Sequence, residues 1–285
     1  MKIKVLALTL AITVVSVNFG YSVTTDWTGG SGSDTTDWTD AANWSAGAPT
    51  ITTVANLVYP AGDAEDIVIN TDSSALGLIY GANLNYYKFL TTAPGATLTI
   101  GGSGITNLST LAGVGVAINH PAKTAMGANS TFSAGTLGLD MSGNFDIKTY
   151  VLDVAVSTGT LVLSGGTSFS VASASSFGKI VGNGTIQLSG ALTFDFATAV
   201  GAGTWDFVNQ TPGGTLTSIS LTDSYSAVFT ETTPGSWDAT AGGLSWNYKA
   251  STGMLTSAVP EPATWALLAG SLTTVMVFRR RRPQG

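Results

Sequence analysis

The chain contains no cysteine and a single histidine. Without thiols it must hold together without disulfides, and thiol catalysis and cysteine-built metal sites are excluded. One imidazole cannot build a multi-histidine zinc centre, and no metal site or cofactor is expected. Charge is scarce too, with Asp, Glu, Lys and Arg making up 10% of residues. Arginine is confined to Arg279, Arg280, Arg281 and Arg282. Residues 23–258 carry five lysines, no arginine and 16 acids, a formal charge of −11. Such a surface repels a phosphate backbone, which argues against nucleic acid as a partner. No helical hydrophobic period occurs before Ala263.

Both ends of the chain carry targeting features. Lys2 and Lys4 precede an apolar run from Val5 to Val17, and small residues follow at Gly20 and Ser22. That is the pattern of a secretory signal peptide over 1–22, cut after Ser22. At the other end, the prolines of Val259-Pro260-Glu261-Pro262 stop any helix, because proline lacks an N–H and clashes with the preceding turn. Ala263 to Phe278 then runs without a charge until the four arginines. At ~1.5 Å per residue this gives roughly 24 Å of apolar helix, short of the ~30 Å hydrocarbon core by an amount that snorkelling arginines and local thinning can close. The expectation is a linker over 257–262, one transmembrane helix over 263–278 and a cytoplasmic basic tail over 279–285, oriented by the positive-inside rule. A buried terminal helix fits less well, since Trp265 to Phe278 has no polar face to give to solvent.

Pro-Glu-Pro, apolar stretch and arginine block, in that order, resemble the PEP-CTERM sorting signal of Gram-negative bacteria. The resemblance implies an exosortase-type processing enzyme as a partner, with Val259, Pro260, Glu261 and Pro262 as recognition residues. Ala263 to Phe278 would be a transient membrane anchor and Arg279, Arg280, Arg281 and Arg282 the stop-transfer block. It further implies export through an inner-membrane intermediate to the cell surface or extracellular matrix, in association with exopolysaccharide or biofilm. It covers Val259 to Gly285 and says nothing of the body.

The body is rich in Gly, Thr, Val and Leu, a composition that favours strands. Short alternating runs such as Asp66-Ile67-Val68-Ile69 and Tyr150 to Val156 are strand-length and bounded by turn residues. A phrase recurs: Ala96-Thr97-Leu98-Thr99-Ile100, Gly135-Thr136-Leu137-Gly138-Leu139, Gly159-Thr160-Leu161-Val162-Leu163, Gly184-Thr185-Ile186-Gln187-Leu188 and Gly203-Thr204-Trp205. The last four start at 135, 159, 184 and 203, in steps of 24, 25 and 19 residues, which suits one coil of a solenoid. The expected fold is all-β: a right-handed parallel β-helix over 51–200, with a β-hairpin cap over 201–256. An antiparallel β-sandwich is the alternative, since strands at 8 to 12-residue spacing read similarly.

Residues 23–50 hold Trp27, Trp38 and Trp44 among Gly, Asp and Asn. Their spacing resembles the opening of autotransporter-like and PEP-CTERM β-repeat proteins. Two roles fit: carbohydrate contact, since indole faces stack on sugar rings, or a cap over the open end of the stack, which solenoids need. Asp34, Asp37 and Asp40 raise calcium-dependent adhesion as a further role, although the spacing is not that of an EF-hand and turn carboxylates need no ligand.

Enzymatic readings have little to stand on. His120 sits in the turn sequence Ile118-Asn119-His120-Pro121, with no serine and aspartate placed to complete a triad. Two-carboxylate glycoside hydrolysis could draw on Asp140, Asp146, Asp153 and Asp195, but these occur one per segment. The function expected is therefore a non-enzymatic surface or matrix protein, the alternative being a carbohydrate-active β-helix enzyme. Two or three carboxylates brought to one outer face would favour that alternative.

Overall fold

The computed structural model describes residues 22–29, 36–58, 67–82, 90–109, 118–210 and 212–260. The signal-peptide segment up to Tyr21, Asp34, Glu261 and Pro262, the expected membrane span 263–278 and Arg279, Arg280, Arg281 and Arg282 lie outside these residues. Among the described residues, no helix is long and apolar enough to cross a membrane.

Strands pair in parallel along a stack of about six turns, so the body is a β-solenoid and the antiparallel sandwich is ruled out for it. Each turn visits three faces. On the first, Ser73, Leu98, Thr124, Phe145, Thr167, Leu192 and Ile219 stand in register, so successive turns take 25, 26, 21, 22, 25 and 27 residues. The second runs through strands Val23–Asp26, Thr53–Leu57 and Ser73–Tyr80 to Ser130–Ser133, Val151–Val154 and Lys179–Gly182. The third includes the pair Ile67–Ile69 and Leu90–Thr92, and the ladder Ile118–Asn119, Leu139–Asp140, Thr160–Leu163 and Thr185–Leu188.

Strand alternation decides which side chains fill the stack. Thr167–Val171 buries Thr167, Phe169 and Val171 and turns Ser168 and Ser170 outward. Because coils align in register, like residues meet inside: Phe169 stacks on Phe194 with centroids 6.1 Å apart, and Leu139, Leu161 and Ile186 form a column. Gly104 shows the steric demand of a corner between faces. Its φ is +67°, and a Cβ there would lie 1.9 Å from the Thr131 carbonyl oxygen of the next coil, so no other residue fits.

The recurring phrases do not all land alike. Thr160–Leu163 and Thr185–Leu188 pair residue for residue, as their matching letters predict. Leu139, not Leu137, sits opposite Leu161, a slip of two that keeps the inward parity. Ala96 to Ile100 lies on the first face, while Gly203–Asp206 leaves the stack and pairs antiparallel with Met254–Ala258. Parallel pairing also extends past residue 200, through Leu216–Asp223 against Gly190–Phe196. Beyond it, Gly203–Asp206, Met254–Ala258, Leu244–Lys249, Ser236–Ala241 and Thr230–Thr233 form an antiparallel sheet over the last coil.

Candidate functional site

The first face carries a concave surface. Its outward row is Ser74, Thr99, Ala125, Asp146, Ser168, Thr193 and Ser220, each in register with the next. These side chains are small, so the row is a floor. Asp72, Lys123 and Lys148 rise around it, enclosing a groove of about 590 Å³ whose lining reaches Ala191 and Thr193. Asp146 Oδ1 accepts from the Lys148 N–H at 2.9 Å and from Ser168 Oγ at 3.1 Å, and Asp72 Oδ1 accepts from the Thr97 N–H at 2.9 Å. Each carboxylate is thus oriented by the neighbouring backbone.

Asp195 and Asp223 stand beside this floor, further along the strands that carry Thr193 and Ser220, one coil apart. Burial, the hydrogen bond with Asp223 and the negative charges of Asp223 and Asp146 raise the Asp195 carboxyl above its usual range, against a lowering bond from Thr222. Direct hydrogen-bond contact is closer than the ~5 to 9.5 Å that separates the carboxylates of glycoside hydrolases, so this pair lacks the gap in which a scissile bond is held. Asp140 and Asp153 do not join them: Asp140 lies on the third face, accepting from Ser164 Oγ at 2.5 Å, and Asp153 on the second.

His120 is fully buried between coils. Tyr80 Oη lies 2.5 Å from Nδ1, and Thr124 Oγ1 lies 2.7 Å from Nε2 and 3.1 Å from the Ala122 carbonyl oxygen. A carbonyl only accepts, so Thr124 donates to Ala122, receives from Nε2–H, and leaves Nδ1 to accept from Tyr80. The tautomer follows from that chain of donors. Burial holds the imidazole neutral, with its pKa lowered to about 3, and raises the Tyr80 phenol. Through Tyr80, Thr124 and the Asp140 carbonyl that accepts its backbone N–H, His120 ties neighbouring coils together.

Trp27, Trp38 and Trp44 are 0%, 1% and 4% exposed and belong to the core cluster. Trp44 packs edge-on to both others, at 4.9 and 4.8 Å, and donates Nε1–H to the Trp38 carbonyl at 2.8 Å. Carbohydrate contact through these rings is therefore corrected: their faces are already covered by each other and by the first coil. Aspartates nearby serve turns. Asp40 Oδ1 caps the short 3-10 helix Ala41–Asn43 by accepting from the Ala42 N–H at 2.9 Å. Burial opposes ionisation of Asp37, but bonds from Thr39 and Asn70 outweigh it and lower the pKa. Among the described residues, no group of three or more His, Asp or Glu is arranged to hold a metal ion.

Of the residues expected to form a sorting signal, Val259 and Pro260 are exposed and directly follow Met254–Ala258, a strand paired on both sides. Reading outward positions one coil apart would have brought Thr99, Asp146, Ser168 and Thr193 together, but that needs the coil lengths, which vary. No protein-family model, curated protein or solved structure matches the chain.

Proposed function

We propose that this protein is an exported, non-enzymatic component of the cell surface or extracellular matrix, whose solenoid associates with extracellular polysaccharide. The observation that carries the reading is the groove on the first face: a floor bearing Thr99, Ser168 and Thr193 that crosses successive coils. Open and elongated across the coils, with hydroxyls among its lining, it suits a long polyhydroxylated polymer better than a small enclosed substrate. The terminal sequences supply the route. A signal peptide over 1–22 directs export, Val259, Pro260, Glu261 and Pro262 are read by an exosortase-type enzyme, and the helix over 263–278 with its arginines anchors the chain until processing. In this reading the solenoid winds right-handed, as the twist of parallel strands favours.

Mass spectrometry of the protein from cell-surface and medium fractions of its host, reading both termini, tests the route. The expected species starts at Val23 and ends between Pro260 and Ala263. Retention of Arg279 to Gly285 on all of the membrane-bound protein would overturn the processing step.

A further inference from the structure

We infer that the groove on the first face takes an uncharged polysaccharide strand laid along the stacking axis, across the β-strands. The inference rests on the polysaccharide-associated reading above and assigns the ligand class and its orientation. Shape gives the orientation. The lining passes from Asp72 through Lys123, Asp146 and Ser168 to Ala191, which crosses six coils, roughly 24 Å at ~4.8 Å per coil. Along any one strand it takes in only a few residues, so the groove is longer across the coils than along them.

Charge gives the class. The lining holds two carboxylates, Asp72 and Asp146, and two ammoniums, Lys123 and Lys148, so the groove itself is balanced. The surrounding body is not: residues 23–258 carry a formal −11, and Asp195 and Asp223 lie beside the groove's last coil, Asp195 two residues along the strand from Thr193. A polyanion would meet that field over the ~8 Å screening length of physiological salt without a net positive floor to offset it. Donors and acceptors suit hydroxyls instead. Thr99, Ser168 and Thr193 can donate and accept, Lys123 and Lys148 donate, and each aspartate has one oxygen not used by the hydrogen bonds described above. An extended peptide is disfavoured because the floor offers no apolar pocket for an anchoring side chain and no free strand edge to extend. Phe145, the largest apolar lining residue, is 1% exposed.

The test uses the full-length chain in a sugar-free detergent, with calorimetric titration of neutral polymers (dextran, β-glucan, galactomannan) and of polygalacturonate. A neutral polymer should bind, its oligomers should gain affinity with length until they span the groove, and salt should change binding little. Thr99→Val with Thr193→Val should weaken it about tenfold while thermal unfolding is unchanged, since each lost hydrogen bond contributes ~0.5 to 1.5 kcal/mol. Binding of polygalacturonate alone, falling with salt, would overturn the inference and leave the polysaccharide reading standing. Unchanged affinity in the double variant would also overturn it, placing the polymer elsewhere. Binding of no polymer would overturn both.

Discussion

The two ends of the solenoid solve one problem by different means. A stack of coils ends in an open strand edge and an open core, and each must be covered. At the first coil, a loop does both. Its Ser45 N–H donates to the Asp26 carbonyl at 2.9 Å and the Thr28 N–H to the Asn43 carbonyl at 2.8 Å, while Trp27, Trp38 and Trp44 plug the core. At the last coil, Ala227–Val228 covers part of the edge, and a separate antiparallel sheet lowers Trp205, Trp246 and Tyr248 onto the core. Trp246 touches three rings there, Phe196 at 5.1 Å, Trp205 at 5.8 Å and Tyr225 at 4.9 Å. A loop suffices where the strand it covers is four residues long; the longer Leu216–Asp223 calls for a sheet.

The contrast predicts that the sheet-built end fails as a unit. Trp246→Ala should cost about 3 to 5 kcal/mol, the range for a large buried aromatic. In hydrogen exchange, protection should be lost first from Leu216–Asp223 and Gly190–Phe196, with Thr53–Leu57 and Ser73–Tyr80 still protected, because each coil contacts only its neighbours. Uniform loss along the stack would show that the lid does not act locally.

The middle of the stack is predicted to respond to acid through one buried group. His120 has a folded pKa of about 3 against an ordinary value of 6.5, so between those limits the unfolded chain takes up a proton that the folded chain refuses. Stability therefore falls as pH drops below about 6.5, by ~1.4 kcal/mol per unit, or about 3 kcal/mol between pH 7 and pH 4.5. Urea midpoints across that range should show the slope, and His120→Gln should flatten it whatever its effect at pH 7.

The smallest effect belongs to the last coil. The raised Asp195 carboxyl penalises the folded state as pH rises and its proton is lost. Asp223→Asn should relieve the repulsion, and the gain at pH 7 should stay within about 0.5 kcal/mol because Asp223 is exposed and water screens its charge. A loss of stability on thermal melting would mean that the pair attracts more than it repels.

Strand content and the coil repeat were legible in the residues. Tyr150 to Val156 alternates as a strand should, and Val151–Val154 is one; the phrases at 159 and 184 meet in register. The phrase at 203 misled because Gly-Thr-Trp fits an antiparallel strand as well as a coil: the letters record strand propensity, and pairing direction depends on what comes back to meet them. Trp27, Trp38 and Trp44 read equally as platform or plug, since burial is set by neighbours distant in sequence.

Alternation, turn residues and the scarcity of charge and thiols thus determined that the chain would build β-structure held by apolar packing. Tertiary structure decided the rest. Coils of 21 to 27 residues place partners by register and not by spacing, so only stacking brings Asp146 over Ser168, Asp195 against Asp223, and His120 between Tyr80 and Thr124. The physical reason is that one residue of extra turn leaves local propensity untouched yet changes which side chains meet in the next coil.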